Sequence, residues 1–388
     1  MIVAAEPAEV VAACGSEAFE ALRHLTPGWW AGYLSYDLGR AVEPVVARQP
    51  ADAALPDLLL ARYEAQAVLG RDGAQLRGER AARRRLQRLL DTATSPGPGA
   101  LPGRPVSSLS RPEYEDRVRA ILRLLDAGDC YQVNLTRRIT WPGPADPVGL
   151  GHAVRQASPA PHEATLVLPG PSGPPIGVVS ASPECFLAWR GSHVETRPIK
   201  GTAKSAASLE TSAKDRAENV MIVDLARNDL GRCCEYGSVA VPALCAVEAH
   251  PGLFHLVSTV RGQCRADVGP ADLLRAAFPP ASVTGAPKPR VLQAIEDLEP
   301  CRRGVYCGAV GWIDTERDEG DLAVAIRTFT VVDGETRLGT GAGIVADSDP
   351  SHEWDETELK VARLVGAGHR STARDSGRRR RPAAATVR

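Results

Sequence analysis

The chain has 388 residues, 44% hydrophobic and 24% charged, which is long enough for a large core and typical of a soluble globular protein. Its net charge of −1 argues against a general nucleic-acid binder, and no apolar run is long enough to span a membrane. The N-terminus lacks the basic segment of a secretory signal, and the nine cysteines are an odd number. We therefore expect a cytoplasmic protein with reduced thiols.

The composition divides the chain into four regions. Residues 1–92 mix short apolar runs with an arginine-rich helical stretch, and residues 93–109 form a linker rich in Pro and Gly. Residues 110–368 are predicted to be one continuous folded unit. Residues 369–388 hold seven arginines and one aspartate without apolar periodicity, so they are predicted to be a disordered basic tail.

Helix and strand patterns alternate within residues 110–368. Ser110, with Glu113 three residues later, predicts a capped helix that ends near Gly128. Two more helices are predicted, one over residues 212–231 and one after Pro350. Strands are predicted at residues 131–141, 177–191, 193–201, 305–314, 321–334 and 335–347.

Each of the two later helices carries a pair of acids spaced i, i+3, Asp215 with Glu218 and Glu353 with Glu356. This spacing puts both acids of a pair on one helix face. Two such faces opposed would offer the oxygen ligands that Mg²⁺ prefers. Acids near a helix start are also favoured by the helix dipole alone, so the spacing leaves a purely structural role open.

Several single residues have both a structural and a functional interpretation. Arg327 lies in an apolar run and needs an anion, which could be a structural partner. Glu184 lies in an apolar strand, where a raised pKa would let it act as a general acid. Lys200 is one of only five lysines among 46 basic residues. It could bind an anion or, if desolvated, act as a nucleophile.

These features occur in an order that resembles the chorismate-utilising enzymes, a family that includes anthranilate, aminodeoxychorismate, isochorismate and salicylate synthases. The resemblance covers residues 110–368, and residues 30–40 (WAGYLSYDLGR) resemble the N-terminal subdomain of component I enzymes, here shortened. The motifs that carry it are GDCYQVNLTRR (128–138), SPECF (182–186), RPIKGT (197–202), DRAENVMIVDLARNDLGR (215–232), FHLVSTVRG (254–262), PPASVTGAPK (279–288), GVYCGAVGW (304–312), AIRT (325–328) and GAGIVADSDPSHEWDETELK (341–360).

The resemblance implies a fold and a set of roles. The fold would be α+β, like anthranilate synthase component I, with large antiparallel or mixed sheets packed face to face and helices outside. Glu218 and Glu356 would bind Mg²⁺ directly, and Asp215 and Glu353 through water. The remaining positions match the enolpyruvyl-carboxylate clamp (Tyr306, Arg327, Gly341, Ala342, Gly343, Lys360), the ring site (Gly201, Thr202), active-site positions of unsettled role (His255, Thr284) and the acid that assists departure of the C4 hydroxyl (Glu184).

Two positions separate the members of the family. Isochorismate and salicylate synthases carry a water-activating lysine where this chain has Gln132, and anthranilate synthases usually have a small residue at the position of Lys200. PIKGT is the pattern of the aminodeoxychorismate synthases. The resemblance therefore implies amination of chorismate at C4 through a covalent bond to Lys200, in the synthesis of para-aminobenzoate for folate or a specialised metabolite.

The implied reaction needs ammonia, and no glutaminase domain fits in the remaining length. We therefore expect a separate glutamine amidotransferase subunit in a heterodimer. The nearest alternative is anthranilate synthase component I, which aminates C2 and releases pyruvate. A remote alternative is a non-catalytic binding protein that uses the basic tail, Arg378–Arg381, for nucleic acid or an acidic partner.

Overall fold

The computed structural model describes residues 1–375 except 51, 53, 54, 71, 72, 98, 172, 251 and 252. Its strands are β1 Ile2–Val3, β2 Glu9–Ala13, β3 Trp29–Leu34, β4 Leu58–Tyr63, β5 Ala65–Gly70, β6 Gly73–Gly78, β7 Val106–Ser107, β8 Gln132–Trp141, β9 His162–Leu168, β10 Ile176–Ser182, β11 Cys185–Arg190, β12 His193–Arg197, β13 Ile199–Ala203, β14 Ala240–His250, β15 Leu253–Gln263, β16 Gly285–Ala286, β17 Ala309–Asp314, β18 Glu319–Val324, β19 Thr328–Val332 and β20 Glu335–Ile344. Its α-helices are α1 Glu17–Arg23, α2 Arg80–Thr92, α3 Arg111–Asp126, α4 Pro147–Ala157, α5 Ala206–Thr211, α6 Ala213–Gly231, α7 Pro270–Ala277, α8 Lys288–Leu298 and α9 Pro350–Asp375.

The described strands form three sheets in which the paired strands run antiparallel. One large sheet has the order β16-β8-β20-β19-β10-β9, with β7 paired to β8. The other has the order β13-β15-β12-β11-β18-β17-β3-β4-β2, with β14 paired to β15. A small sheet, β1-β5-β6, completes the set. The predicted α+β class with large sheets is confirmed.

Strand β4 shows why the two large sheets pack together. Its successive side chains point to opposite faces, as they do in any strand. Leu59 and Ala61 join a cluster of buried residues with Val178 of β10 and Val332 of β19, which belong to the other large sheet. Leu58 and Leu60 point the other way, into a cluster that also includes residues of α1, α3, α6, α7 and α8. Apolar residues on both faces therefore place β4 between the second sheet and the outer helices.

Residues 1–92 contribute to the same sheet as the region that follows the linker. Strand β3 pairs with β17 along its whole length, from Trp29↔Asp314 to Leu34↔Ala309. Within the predicted linker, β7 pairs with β8, and residues 93–105 other than 98 have no helix or strand. The N-terminal region therefore contributes β2, β3 and β4 to a large sheet, in addition to forming the small sheet of β1, β5 and β6.

Two of the predicted strands are each divided between the two large sheets. The predicted strand at 177–191 becomes β10 in one sheet and β11 in the other, and the break falls at Pro183–Glu184. The predicted strand at 321–334 becomes β18 and β19, with Arg327 at the break in a left-handed conformation of φ +50°. The single-strand predictions were wrong because apolar, largely buried residues continue through both crossovers, so the sequence pattern does not change there. A third prediction, 193–201, is likewise broken at Pro198, because proline has no N–H for the ladder.

The predicted helices are present near their predicted limits. Ser110 N donates to the Glu113 carboxylate at 2.8 Å, which forms the predicted capping box of α3. Helix α9 begins at Pro350 and continues to Asp375, into the segment that was predicted to be disordered from residue 369; residues 376–388 lie outside the described residues. Among the described residues, no helix is long and apolar enough to cross a membrane.

Candidate active site

Lys200 lies on β13, where that strand departs from regular pairing with β15. Lys200 pairs with Leu256 and Thr202 pairs with His255, so Gly201 is the extra residue of a bulge. Gly201 has φ +78°, and a Cβ there would lie 2.9 Å from Cγ of Asp215. Only glycine adopts this conformation freely and allows the approach. The bulge therefore places Lys200 and Gly201 against the first turn of α6.

The two predicted acid pairs lie on α6 and α9. Glu218 is 4.0 Å from Lys200 Nζ, and Glu356 is 2.6 Å from Lys360 Nζ. Ser348 Oγ donates to Glu353 Oε1 at 2.6 Å, while Glu353 Oε2 is buried without a hydrogen-bond partner among the described residues. In the described part of the chain, no three of these carboxylates have oxygens within 4.8 Å of one another. Lys200 and Lys360 thus each place a positive charge next to one of these carboxylates, which reduces the repulsion between the acids.

Burial and neighbouring charges oppose one another at Lys200. Burial lowers the pKa of Lys200 from its ordinary value, and the negative charge of Glu218 offsets only part of this effect. Burial also raises the pKa of Glu218, against the influence of Lys200. A lysine with a depressed pKa carries a neutral, nucleophilic amine in a larger fraction of molecules.

The pKa of Glu356 is lowered, whereas the pKa of Glu218 is raised. Burial alone would raise the pKa of Glu356, but the charge and hydrogen bond of Lys360 together with the charges of Lys200 and Lys214 outweigh it, so the pKa lies below the ordinary value. Lys360 also donates to the carbonyl oxygen of Gly341 at 2.8 Å. Lys360 therefore joins α9 to β20 and is more than the surface ion pair that its spacing from Glu356 alone would suggest.

Glu184 lies at the crossover between β10 and β11. Its carbonyl oxygen accepts from Val324 N at 3.0 Å, and its carboxyl is buried. Burial raises the pKa of Glu184 to about 7, although the charge of Lys200 acts in the opposite direction. A carboxylic acid with this pKa holds a proton in about half of the molecules at neutral pH, as a general acid requires.

Arg327 and His255 line a pocket beside this crossover. The pocket also includes Pro183, His250 and Arg363. His255 Nδ1 is 2.9 Å from Thr202 Oγ1, and burial, Arg327 and His250 together lower the pKa of His255 to about 4, so its imidazole is neutral at neutral pH. Burial and the charge of Arg363 lower the pKa of Arg327. Among the described residues no carboxylate pairs with Arg327, which leaves it available for an anion.

Residues 341–343 lie within β20, inside the strand that was predicted over 335–347. Gly343 pairs with Asn134 of β8. A Cβ at Gly343 would lie 2.9 Å from Nε2 of Gln132 and 3.4 Å from Nζ of Lys200. Glycine at this position therefore leaves a space into which both side chains point.

Tyr306 and Thr284 lie at the edge of this arrangement. The ring of Tyr306 packs on Gly339, where a Cβ would be 2.1 Å from the ring, and it lines a different pocket from Arg327. Thr284 Oγ1 donates to the carbonyls of Pro280 and Ala281, and its own carbonyl accepts from Asn134 N at 2.8 Å. In this structure Thr284 thus fixes the turn before α8 against β8.

The family can be assigned from a comparison with known proteins. Residues 4–366 match the model of the chorismate binding enzymes. The chain belongs to this family. Aminodeoxychorismate synthase component 1 of Klebsiella aerogenes is 40% identical over 347 residues, covering 86% of this chain and 76% of the relative. The Escherichia coli K12 protein of the same name is 39% identical over 349 residues, covering 86% and 75%.

Other members of the family carry a different name. Anthranilate synthase component 1 1 of Haloarcula marismortui is 35% identical over 375 residues, covering 87% of this chain and 75% of the relative. Among solved structures, anthranilate synthase component I of Streptococcus pneumoniae matches with a TM-score of 0.80 and 25% identity, covering 94% of this chain and 92% of that one. The fold is therefore that of the component I chorismate-binding enzymes.

The acid pairs of this chorismate-binding chain suit a hard divalent cation. Carboxylate oxygens from two helices are the ligand type that Mg²⁺ takes, usually with retained water. Glu353 Oε2 is a buried oxygen that lacks a hydrogen-bond partner among the described residues, so it has the capacity to accept one more interaction. The residues present thus fit Mg²⁺ at Glu218 and Glu356, with Asp215 and Glu353 outside them.

Some residues of the site were not predicted from the sequence. Arg363 and His250 line the Arg327 pocket, and Ser348 holds Glu353. The spacing from Lys360 to Arg363 on one helix face could have indicated Arg363. No comparable signal pointed to His250, because only the pairing of β14 with β15 brings it to His255, at a ring distance of 4.8 Å.

Proposed function

We propose that this chain aminates chorismate at C4 to form 4-amino-4-deoxychorismate, in the synthesis of para-aminobenzoate. The observation that carries the proposal is Lys200, a lysine whose side chain is only 13% exposed and whose pKa is depressed, 4.0 Å from Glu218 and near the acid Glu184. The negative charges of Glu184 and Glu356 also act on the pKa of Lys200, so Lys200 lies within electrostatic range of both the proposed general acid and the second acid pair. The 38–40% identity to proteins named aminodeoxychorismate synthase component 1 supports the same substrate and product class.

The proposed chemistry is a double displacement. The neutral Lys200 amine forms a bond to C2, the ring double bonds shift, and the C4–O bond breaks while Glu184 gives its proton to the departing water. The nitrogen of Lys200 keeps both of its protons in this adduct, so it can later leave as a neutral amine, and the carboxylate of Glu184 takes back a proton from the ammonium group that ammonia forms at C4. Ammonia forms a bond to C4, the double bonds shift back, and the C2–N bond breaks with its electron pair returning to Lys200. Nitrogen thus ends at the carbon that lost the hydroxyl.

The two carboxylates of chorismate would be bound at opposite sides of Lys200. Mg²⁺ held by Glu218 and Glu356 would neutralise the ring carboxylate and fix its position. Arg327 would bind the enolpyruvyl carboxylate, and Lys360, which pairs with Glu356 in this structure, would join it once Glu356 binds Mg²⁺. Gly201 and Gly343 leave the space for the ring. Fixing the substrate in this way reduces the entropy cost of reaching the transition state.

Ammonia is proposed to come from a separate glutamine amidotransferase subunit. The relatives are named as component 1, which indicates that they act with another component. The cysteine of GVYCG, Cys307, is fully buried, and burial raises its pKa to about 12, so it is unsuited to act as the nucleophile of a glutaminase.

Anthranilate synthase component I is the second candidate, because several relatives and the solved structure with a TM-score of 0.80 carry that name. Amination there occurs at C2, the carbon that Lys200 would occupy. A lysine so close to the ring is therefore the feature that separates the two candidates.

The test compares Lys200→Ala with wild type, using chorismate, ammonium and Mg²⁺. We expect the variant to lose about 100-fold or more in the rate of aminodeoxychorismate formation, on the order of one positioned catalytic group. Lys204→Ala, an exposed lysine four residues away, is the matched control and should retain the wild-type rate. If Lys200→Ala forms aminodeoxychorismate as fast as wild type, the covalent route is wrong.

A further inference from the structure

Three cysteines meet beyond the C-terminal end of α6, the helix that carries Asp215 and Glu218 near its start. The Sγ atoms of Cys233, Cys234 and Cys264 all lie within 4.8 Å of one another, and the three residues are 3%, 4% and 8% exposed. Cys233 and Cys234 follow the last turn of α6, and Cys264 follows β15. An antiparallel bridge between Cys234 and Cys264 brings the two segments together.

The cluster lies far from the acid pair near the start of α6. Asp215, at the start of α6, is 16 residues before Gly231, which ends the helix; at 1.5 Å per residue the separation is about 24 Å. The cluster therefore neither binds chorismate nor contacts the acid pairs. It lies instead where the ends of α6 and β15 are joined.

The backbone leaves room for the sulfur atoms. A Cβ at Gly262 would lie 2.5 Å from Sγ of Cys234, so any larger residue at 262 would displace that thiol. Arg265 N donates to the carbonyl of Cys233 at 3.0 Å, and the Arg265 guanidinium donates to the carbonyls of Arg232 and Cys234. The packing thus holds three thiols together beside a fixed positive charge.

A metal site at this cluster requires the thiols to lose their protons. Cys233 Sγ donates to the carbonyl of Leu230 at 3.3 Å, and the Arg265 guanidinium lies at the carbonyl of Cys234. Ligand sulfur must be deprotonated, and a neighbouring positive charge favours the thiolate.

We propose that Cys233, Cys234 and Cys264 bind a divalent thiophilic cation of the d¹⁰ type, Zn²⁺ or its analogue Cd²⁺, with solvent as a fourth ligand. Zn–S bonds of about 2.3 Å place tetrahedral sulfur atoms about 3.8 Å apart, so small side-chain rotations close the present cluster. Three thiolates and a divalent ion carry a net charge of −1, which the adjacent Arg265 balances. A monovalent Cu⁺ would leave −2 in this setting.

A solvent ligand is consistent with the position of the cluster just beneath the surface. The neighbours Glu235, Tyr236 and Gln263 are exposed, and among the described residues no His, Asp or Glu joins the three sulfurs within 4.8 Å. The chain has no CxxC pair, so the spacing of its cysteines alone does not indicate a zinc site. The third ligand comes from 30 residues further along, and only the β15 pairing brings it there.

Binding would cross-link the end of α6 to the end of β15, two elements that carry Asp215, Glu218 and His255 at their other ends. The expected effect is therefore on stability and not on the catalytic step. Each thiol that becomes a ligand releases its proton to solvent on binding, so affinity falls as pH falls.

The test uses the full chain, reduced and handled without oxygen, with Mg²⁺ in excess to suppress binding at the carboxylates. Zn²⁺ is titrated against a chromophoric chelator, and Co²⁺ is used as a spectroscopic probe of thiolate ligation. We expect one tight equivalent of Zn²⁺, a thiolate-to-Co²⁺ charge-transfer band and a higher unfolding temperature with Zn²⁺.

Cys264→Ser and Cys233→Ser should bind Zn²⁺ at least about 100-fold more weakly. Replacing a residue that only hydrogen-bonds to a metal ligand already lowers metal affinity about 10- to 100-fold, and these variants remove a ligand itself. Cys130→Ser, a buried cysteine outside the cluster, should bind like wild type. If a cluster variant fails to fold, alkylation of wild type followed by mass spectrometry decides the question: Zn²⁺ should protect these three cysteines and leave Cys14 reactive.

Three outcomes would overturn the proposal: no tight equivalent in wild type, unchanged binding in Cys264→Ser, or Zn²⁺ protection of other cysteines. If the reduced protein binds no metal and two of these cysteines form a disulfide in air, the cluster is a redox-active thiol pair and the metal-site proposal is wrong.

Discussion

Two arginines of this molecule, the buried Arg303 and the half-buried Arg327, have opposite surroundings. Arg303 donates to both carboxylate oxygens of Glu299, at 2.9 and 2.6 Å, to the carbonyls of Val283 and Asn134, and packs over the ring of Tyr36 at 4.4 Å. Arg327 has no carboxylate partner among the described residues and lies beside Arg363 and His255. The first is a closed structural unit, and the second is a cationic pocket that an anion would complete.

The same contrast separates two buried glutamates. Glu299 accepts hydrogen bonds from Arg303 and from Thr136 N at 2.8 Å. Glu184 has no arginine beside it, and burial raises its pKa to about 7. Buried charge alone therefore does not mark a functional residue; buried charge without a compensating partner is the better guide.

The largest expected effect on stability is at Arg303. Arg303→Met would leave the buried carboxylate of Glu299 without its partner, and breaking a buried pair in this way costs about 3–5 kcal/mol of unfolding free energy. Denaturant unfolding followed by circular dichroism measures it. A loss below about 1 kcal/mol would show that the pair is not the structural unit described.

A comparably large effect, but on catalysis, is expected at Glu184. Glu184→Gln keeps the shape of the side chain but cannot give a proton, so kcat for aminodeoxychorismate formation should fall about 100-fold or more. Unfolding free energy measured in parallel should change little. An unchanged kcat would remove Glu184 from the reaction.

A smaller effect is expected at Arg327, and on binding. Arg327→Gln should raise KM for chorismate about 10- to 100-fold, because a hydrogen bond to a charged group contributes about 1.5–3 kcal/mol. The free energy of unfolding of Arg327→Gln should stay the same or rise, since the variant removes the half-buried charge of Arg327, which pairs with no carboxylate among the described residues. A loss of several kcal/mol would place Arg327 in the same structural class as Arg303.

The mildest change is a change of pH. The proton-donating form of Glu184 falls as pH rises through its pKa of about 7, so kcat/KM should decline above that pH. The neutral amine of Lys200 increases with pH, which gives the rising side of the profile. Rates are compared at constant free ammonia, so that the ionisation of ammonium itself does not enter. A flat profile through pH 7 would contradict the assignment of Glu184.

The sequence predicted much of this arrangement and missed what depends on tertiary pairing. The capping box at Ser110, the acid pairs on α6 and α9 and the lysine after Pro198 follow from local spacing. The crossovers at Glu184 and Arg327 were hidden in apolar runs, because β10 and β19 are buried at every residue and the pattern does not change where the chain passes to the other large sheet. His250 and Cys264 reach their clusters only through β15, and no local pattern encodes that.

The most direct test of the central claim is the position of nitrogen in the product. The chain is supplied with chorismate, Mg²⁺ and ¹⁵N-ammonium, the product is analysed by NMR and mass spectrometry, and pyruvate is measured in the same sample. The account predicts ¹⁵N on C4, an intact enolpyruvyl group and no pyruvate in proportion to product. Anthranilate labelled at its amino group, with one pyruvate released for each, would contradict it.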